Sequence, residues 1–114
     1  MSDRETIQQR PENGASLVAR SGSMDWQSDG DGFWYKPLFE DPSTGMKTWL
    51  MRVEAGAEAA MHAHEDLEQV YVLEGEFYDS EHTYGPGDFI VRGPGAMHTG
   101  GSRGGATVLL VYSG

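Results

Sequence analysis

GAEAAMHAHEDLEQVYVLEG, residues 56–75, is the stretch on which the reading of this chain turns. Two of the four histidines, His62 and His64, stand one residue apart, Glu68 follows four residues later, and an alternation through Val70 and Val72 runs to Gly75. Period two is the spacing that turns both rings to one face of an extended strand. A turn through residues 65–67 would bring the chain back as the next strand and set Glu68 beside them. Two neutral imidazoles and a carboxylate are a ligand set that Fe(II), Mn(II), Ni(II) and Zn(II) all accept. A bare His-X-His also fits a solvated strand edge, so the weight lies on the rest of the pattern.

A second segment adds to it. In GPGDFIVRGPGAMH, residues 85–98, Gly87-Asp88 opens a short apolar strand, Gly93-Pro94-Gly95 forces a turn, and His98 follows three residues after Gly95. On its own His98 fits a surface loop. With the turn just before it, the chain can return over the mouth of a barrel and offer a third imidazole to the same ion. The fourth histidine, His82, falls at a hairpin tip between strands and is expected to be exposed and outside the site.

Around these segments, short aromatic and β-branched runs alternate with Gly and Pro punctuation, the pattern of a sheet protein. The expected strands cover residues 33–39, 48–53, the His62 and His64 segment, 68–73, 76–79, 88–91 and 106–112. No helix longer than a turn or two is expected. With 16 glycines and about seven closely spaced strands, the fold class is all-β, a small antiparallel β-barrel or jelly roll. Residues 1–25 are polar and aperiodic and read as an extended arm, leaving residues 26–114 as one barrel domain.

Bulk properties exclude whole classes of function. The 114 residues contain no cysteine, which removes disulfides, thiolate zinc sites and thiol nucleophiles. The net charge of −10 and the scatter of the eight Lys and Arg residues argue against nucleic acid as a partner. No apolar run is long enough for a signal peptide or a membrane span, so a soluble, cytoplasmic protein is expected.

The two segments together resemble the cupin superfamily. Its first motif is Gly, five residues, His-X-His, three or four residues, Glu, six residues, Gly; Gly56, His62, His64, Glu68 and Gly75 match every fixed position. Its second motif is Gly, five residues, Pro-X-Gly, two residues, His. Gly87, Gly95 and His98 match it, while Gly93 takes the proline position and the proline moves to Pro94. Residues 48–114 are similar, more finely, to the single-domain cupins grouped with the C-terminal domain of the anti-sigma factor ChrR and with acetylacetone-cleaving dioxygenase. The resemblance implies a barrel with a metal deep in its mouth, and often a dimer. It also implies one divalent transition metal per chain on His62, His64, Glu68 and His98, with Fe(II) favoured over Zn, Mn or Ni. The acetylacetone-cleaving relatives use three histidines without this glutamate, so Glu68 moves the chain toward the four-ligand type.

Four ligands on a six-coordinate ion leave two positions for a chelating substrate, or for one substrate oxygen and O2. The leading expectation is a metal-dependent cupin, an Fe(II) dioxygenase cleaving a small dicarbonyl, phenolic or hydroxyketone substrate, with Glu68 as ligand and base. Isomerase or lyase chemistry is the expectation for a redox-inert ion. The alternative from another class is a non-catalytic metal-binding sensor or regulatory cupin resembling the ChrR C-terminal domain. Against that alternative, residues 1–25 are short and lack cysteine, whereas anti-sigma activity in that relative needs a separate domain. Phe33, Trp34, Tyr35, Trp49, Phe77 and Tyr78 are the aromatic candidates for the pocket. Alternation along residues 68–73 turns Tyr71 and Leu73 outward, and with the arm this underlies the expectation of a homodimer.

Overall fold

The computed structural model describes residues 3–113. Among them lie ten β-strands and a single 3₁₀ turn, Ser21–Ser23. The strands are β1 (Gln27–Ser28), β2 (Phe33–Glu40), β3 (Lys47–Val53), β4 (Glu58–His62), β5 (Leu67–Gly75), β6 (Phe77–Tyr78), β7 (Thr83–Tyr84), β8 (Phe89–Arg92), β9 (His98–Gly101) and β10 (Ala106–Ser113). No helix among the described residues is long and apolar enough to cross a membrane.

All strand pairs are antiparallel, and they form a six-stranded sheet, β1-β2-β3-β10-β5-β8, and a four-stranded sheet, β4-β9-β6-β7. The two together make the expected jelly roll. Its centre is β10, which pairs with β3 on one side and β5 on the other. Alternation explains the core. Glu68, Val70 and Val72 of β5 are buried while Tyr71 and Leu73 are exposed, and Val108 and Leu110 of β10 are buried opposite Val72 and Val70. Ile90 of β8, Phe77 of β6, Val53 of β3 and Ala106 of β10 complete the cluster. Branched side chains at period two on central strands form a pleated, close-packed surface.

Three short pairings escape the sequence reading. Strands β1 and β7 have two residues each, too short to show a period. Strand β9 is HTGG, with no apolar alternation and only Thr99 as a branched residue, ahead of two glycines. The N-terminal segment is tied down on β2: Ile7 donates to the Leu38 carbonyl at 3.0 Å and accepts from Glu40 N–H at 2.9 Å. Lys36 of β2 is buried, donating from Nζ to the Ser21 carbonyl at 2.7 Å and lying under the Trp26 ring. The other margin of that sheet, β8, keeps Phe89 and Val91 exposed beside Tyr71 of β5.

Candidate metal centre

The topology brings together residues that the sequence holds far apart. Strand β4 pairs with β9 so that His62 and His98 are direct cross-strand partners, with ring centroids 4.3 Å apart. His64 does not share the strand with His62 as expected. β4 ends at His62, and His64 lies beyond it, where its carbonyl accepts from Gly95 N–H at 2.7 Å. Its ring still swings back to 5.0 Å from His62, and one ligand atom from each of His62, His64 and His98 falls within 4.8 Å of the others. His98 opens β9 instead of sitting in a loop.

Glu68 approaches from the facing sheet beside His64 and His98, outside the group that the three histidines form among themselves. Its carboxylate, 5% exposed, puts Oε1 3.5 Å from His98 Nε2 and Oε2 3.9 Å from His64 Nε2. His82 is exposed, its ring tilted 5.9 Å from that of Tyr84, and takes no part.

The chemistry of the donor set fits a transition metal. His62 Nδ1 bonds the Ala60 carbonyl at 2.8 Å and His98 Nδ1 bonds the Thr99 carbonyl at 3.0 Å. A carbonyl can only accept, so in each ring Nδ1 carries the proton and Nε2 is left with a free lone pair. This is how ligating histidines are commonly fixed. Among the described residues, His98 Nε2 and Glu68 Oε1 are buried side-chain atoms with no hydrogen-bond partner. Buried polar atoms left in that state are costly, and a cation between them would satisfy both.

Residues that the sequence reading did not single out complete the surroundings. Arg92 Nε lies 3.0 Å from Glu68 Oε1, and Arg92 Nη1 donates to Asp79 Oδ2 at 2.8 Å. Tyr112 is the β10 register partner of Glu68, and its ring lies 5.0 Å from His64. Burial, then the Glu68 carboxylate, pushes the Tyr112 phenol well above its usual value, so it remains a neutral donor. Asp79 is held well below the usual carboxylate range: burial opposes ionisation, but donors from Tyr84, the His82 backbone, Arg92 and the Glu81 backbone outweigh it. The site opens into a cavity of about 380 Å³ whose walls include Phe33, Met51, Phe77, Val108 and Leu110. Of the six aromatic candidates, Phe33 and Phe77 line this cavity and Trp49 lines an adjoining one.

Burial depresses the His98 pKa, with the Thr99 carbonyl pulling the other way. The sign of the consequence is fixed by linkage. The unfolded chain takes up this proton near pH 6.5 and the folded chain only at lower pH, so stability falls as pH drops below about 6.5. The depressed Asp79 contributes in a separate window, losing its stabilisation only as pH falls below about 4. Chelator-treated protein should therefore lose melting temperature between pH 7 and 5, a slope that calorimetry checks; a flat profile would contradict it. Bound metal should be released over the same range, because ligand nitrogens must be unprotonated.

Comparison with other proteins agrees with the geometry. None of the curated proteins matches the chain. Among solved structures, an RmlC-like cupin from Shewanella frigidimarina superposes with a TM-score of 0.78 at 20% identity, over 87% of this chain and 91% of that one. KdgF from Halomonas sp. gives a TM-score of 0.66 at 22% identity, over 83% and 91%. A chain of the Rhodobacter sphaeroides complex of SigE with the anti-sigma ChrR gives 0.67 at 26% identity, covering 84% of this chain but only 51% of that one. The family of ChrR cupin-like domains matches residues 15–114, nearly the whole chain. With the jelly roll and the three converging histidines, that match establishes that the chain belongs to the ChrR cupin-like domain family.

Proposed function

We propose that this protein is a metal-dependent cupin in which His62, His64, His98 and Glu68 hold one divalent transition metal, and that it cleaves a small enolisable chelator with O2. The observation that carries this reading is the convergence of three imidazoles on one point, with the unpartnered Glu68 Oε1 beside them, at the floor of a largely apolar cavity. Fe(II) in such a site supplies redox chemistry with O2. The chain's own residues do the rest. Three imidazoles and one carboxylate leave room for a bidentate oxygen ligand, such as an enolised β-dicarbonyl or an ortho-hydroxyketone. Glu68, on the cavity floor, accepts the enol proton as the substrate binds. Tyr112, held neutral by burial and by the nearby Glu68 charge, stands beside that carboxylate as its β10 register partner. Phe33, Met51 and Leu110 exclude water from the bound chelator.

A regulatory reading has its own support, the match to ChrR cupin-like domains. In that reading the same centre binds a chelating ligand and reports it without turnover.

Oxygen-electrode traces separate the two. Fe(II)-loaded protein should consume O2 with acetylacetone or an ortho-hydroxyketone, and Zn(II)-loaded protein should not, because zinc has no accessible second oxidation state. Glu68→Gln should retain part of its metal while losing most turnover. Flat traces with every chelator, with iron content confirmed, would contradict the enzymatic reading and favour the regulatory one.

A further inference from the structure

Arg92 stands outside the ligand set, yet its side chain is only 10% exposed and in contact with it. Asp79 pins the guanidinium from behind through Nη1 at 2.8 Å. Asp79 is itself held by the Tyr84 hydroxyl at 2.7 Å and by the backbone N–H groups of Glu81 and His82 at 2.8 Å. The other edge of the guanidinium, Nε with Nη2, is the side-on fork that suits a carboxylate. Nε lies 3.0 Å from Glu68 Oε1 without the alignment of a hydrogen bond, and Nε, Nη2 and Oε1 are all buried without a partner. That same Oε1 is 3.5 Å from His98 Nε2. One carboxylate oxygen thus stands between a guanidinium and the imidazole cluster, satisfied by neither.

We propose that Arg92, pinned by Asp79, is a positioning residue that holds Glu68 as an exchangeable metal ligand. The inference rests on the metal-centre reading above. Without an ion, the carboxylate rests against the guanidinium fork. With one, it is shared, and Arg92 both competes for Oε1 and opposes the ion with its own charge. Arg92 therefore tempers metal affinity. A plain structural ion pair, one that only staples β5 to β8 where Glu68 and Arg92 are register partners, would have no such effect.

The two roles give opposite signs. Zinc affinity, read by competition with a chromophoric chelator, should tighten about tenfold in Arg92→Met, the scale of other substitutions next to a metal's ligands. Asp79→Asn should weaken it by about the same factor, because a guanidinium released from Asp79 closes fully onto Glu68. Arg92→Lys, which keeps the charge and loses the fork, should tighten it by a smaller factor. The effect of Arg92→Met should shrink in a Glu68→Gln background, the signature of coupling between the two side chains. Shifts of the same sign in the Arg92 and Asp79 variants, or changes under about twofold in both, would overturn the proposal. Should Arg92→Met not fold, the signs of Arg92→Lys and Asp79→Asn decide: opposite signs support it and like signs overturn it. A wild type that binds no zinc is a different failure, one that removes the metal-centre reading itself.

Discussion

His98→Ala is expected to abolish stoichiometric metal binding, weakening affinity by more than about a hundredfold. Substitutions that merely touch a metal's ligands cost about 10–100-fold, and this one deletes a ligand. His98 is 7% exposed, its Nδ1 is tied to the Thr99 carbonyl, and its Nε2 has no hydrogen-bond partner among the described residues. The ring is therefore already oriented, and no neighbouring donor is placed to replace it. His64→Ala should act in the same direction. His82→Ala should leave metal content unchanged, since that ring is exposed on the β6–β7 hairpin. Elemental analysis after gel filtration checks all three variants; wild-type metal content in His98→Ala would contradict the ligand assignment.

Gly75→Ala should cost about 2–5 kcal/mol of stability, the sum of a left-handed backbone penalty and overpacking against main chain. Gly75 ends β5 at φ +74°, and a Cβ there would overlap the Gly105 carbonyl oxygen and come within 2.9 Å of Ala106 Cα. Both obstacles are backbone, so they cannot rotate away. The clash falls where β5 pairs with β10, Gly75 opposite Ala106, so relief would mean unzipping the central strand pair. Urea unfolding of the metal-free variant would measure the loss. A change under about 1 kcal/mol would show that the strand end relaxes freely.

Much of the architecture is legible in the sequence because it rests on local period and fixed spacing. The alternation places Glu68, Val70 and Val72 inward and Tyr71 and Leu73 outward, as the structure has them. The histidine and glycine spacing likewise points to the residues that converge. What escapes is what topology alone decides. Arg92 and Asp79 lie 13 residues apart, and Tyr112 and Glu68 lie 44 apart, and no local pattern marks either pair. Strand β9 is hidden for a physical reason. Gly100 and Gly101 leave no room for a side chain: a Cβ on Gly100 would meet the Phe77 ring at 3.2 Å, and one on Gly101 the Ala57 carbonyl oxygen at 2.6 Å and the Tyr78 hydroxyl at 2.7 Å. The packing that makes β9 fit leaves two glycines in a four-residue strand, where side chains would have marked it. His64 departs from the expected strand because β4 ends at His62, and its ring reaches the site from the connecting loop.

X-ray absorption at the metal edge of the zinc- or iron-loaded protein tests the central claim most directly, by counting the imidazoles around the ion. Three imidazole scatterers with additional oxygen ligands are expected for His62, His64 and His98 with Glu68, reduced to two imidazoles in His64→Ala. One imidazole or none in the wild type, or a spectrum unchanged by His64→Ala, would contradict the centre described here.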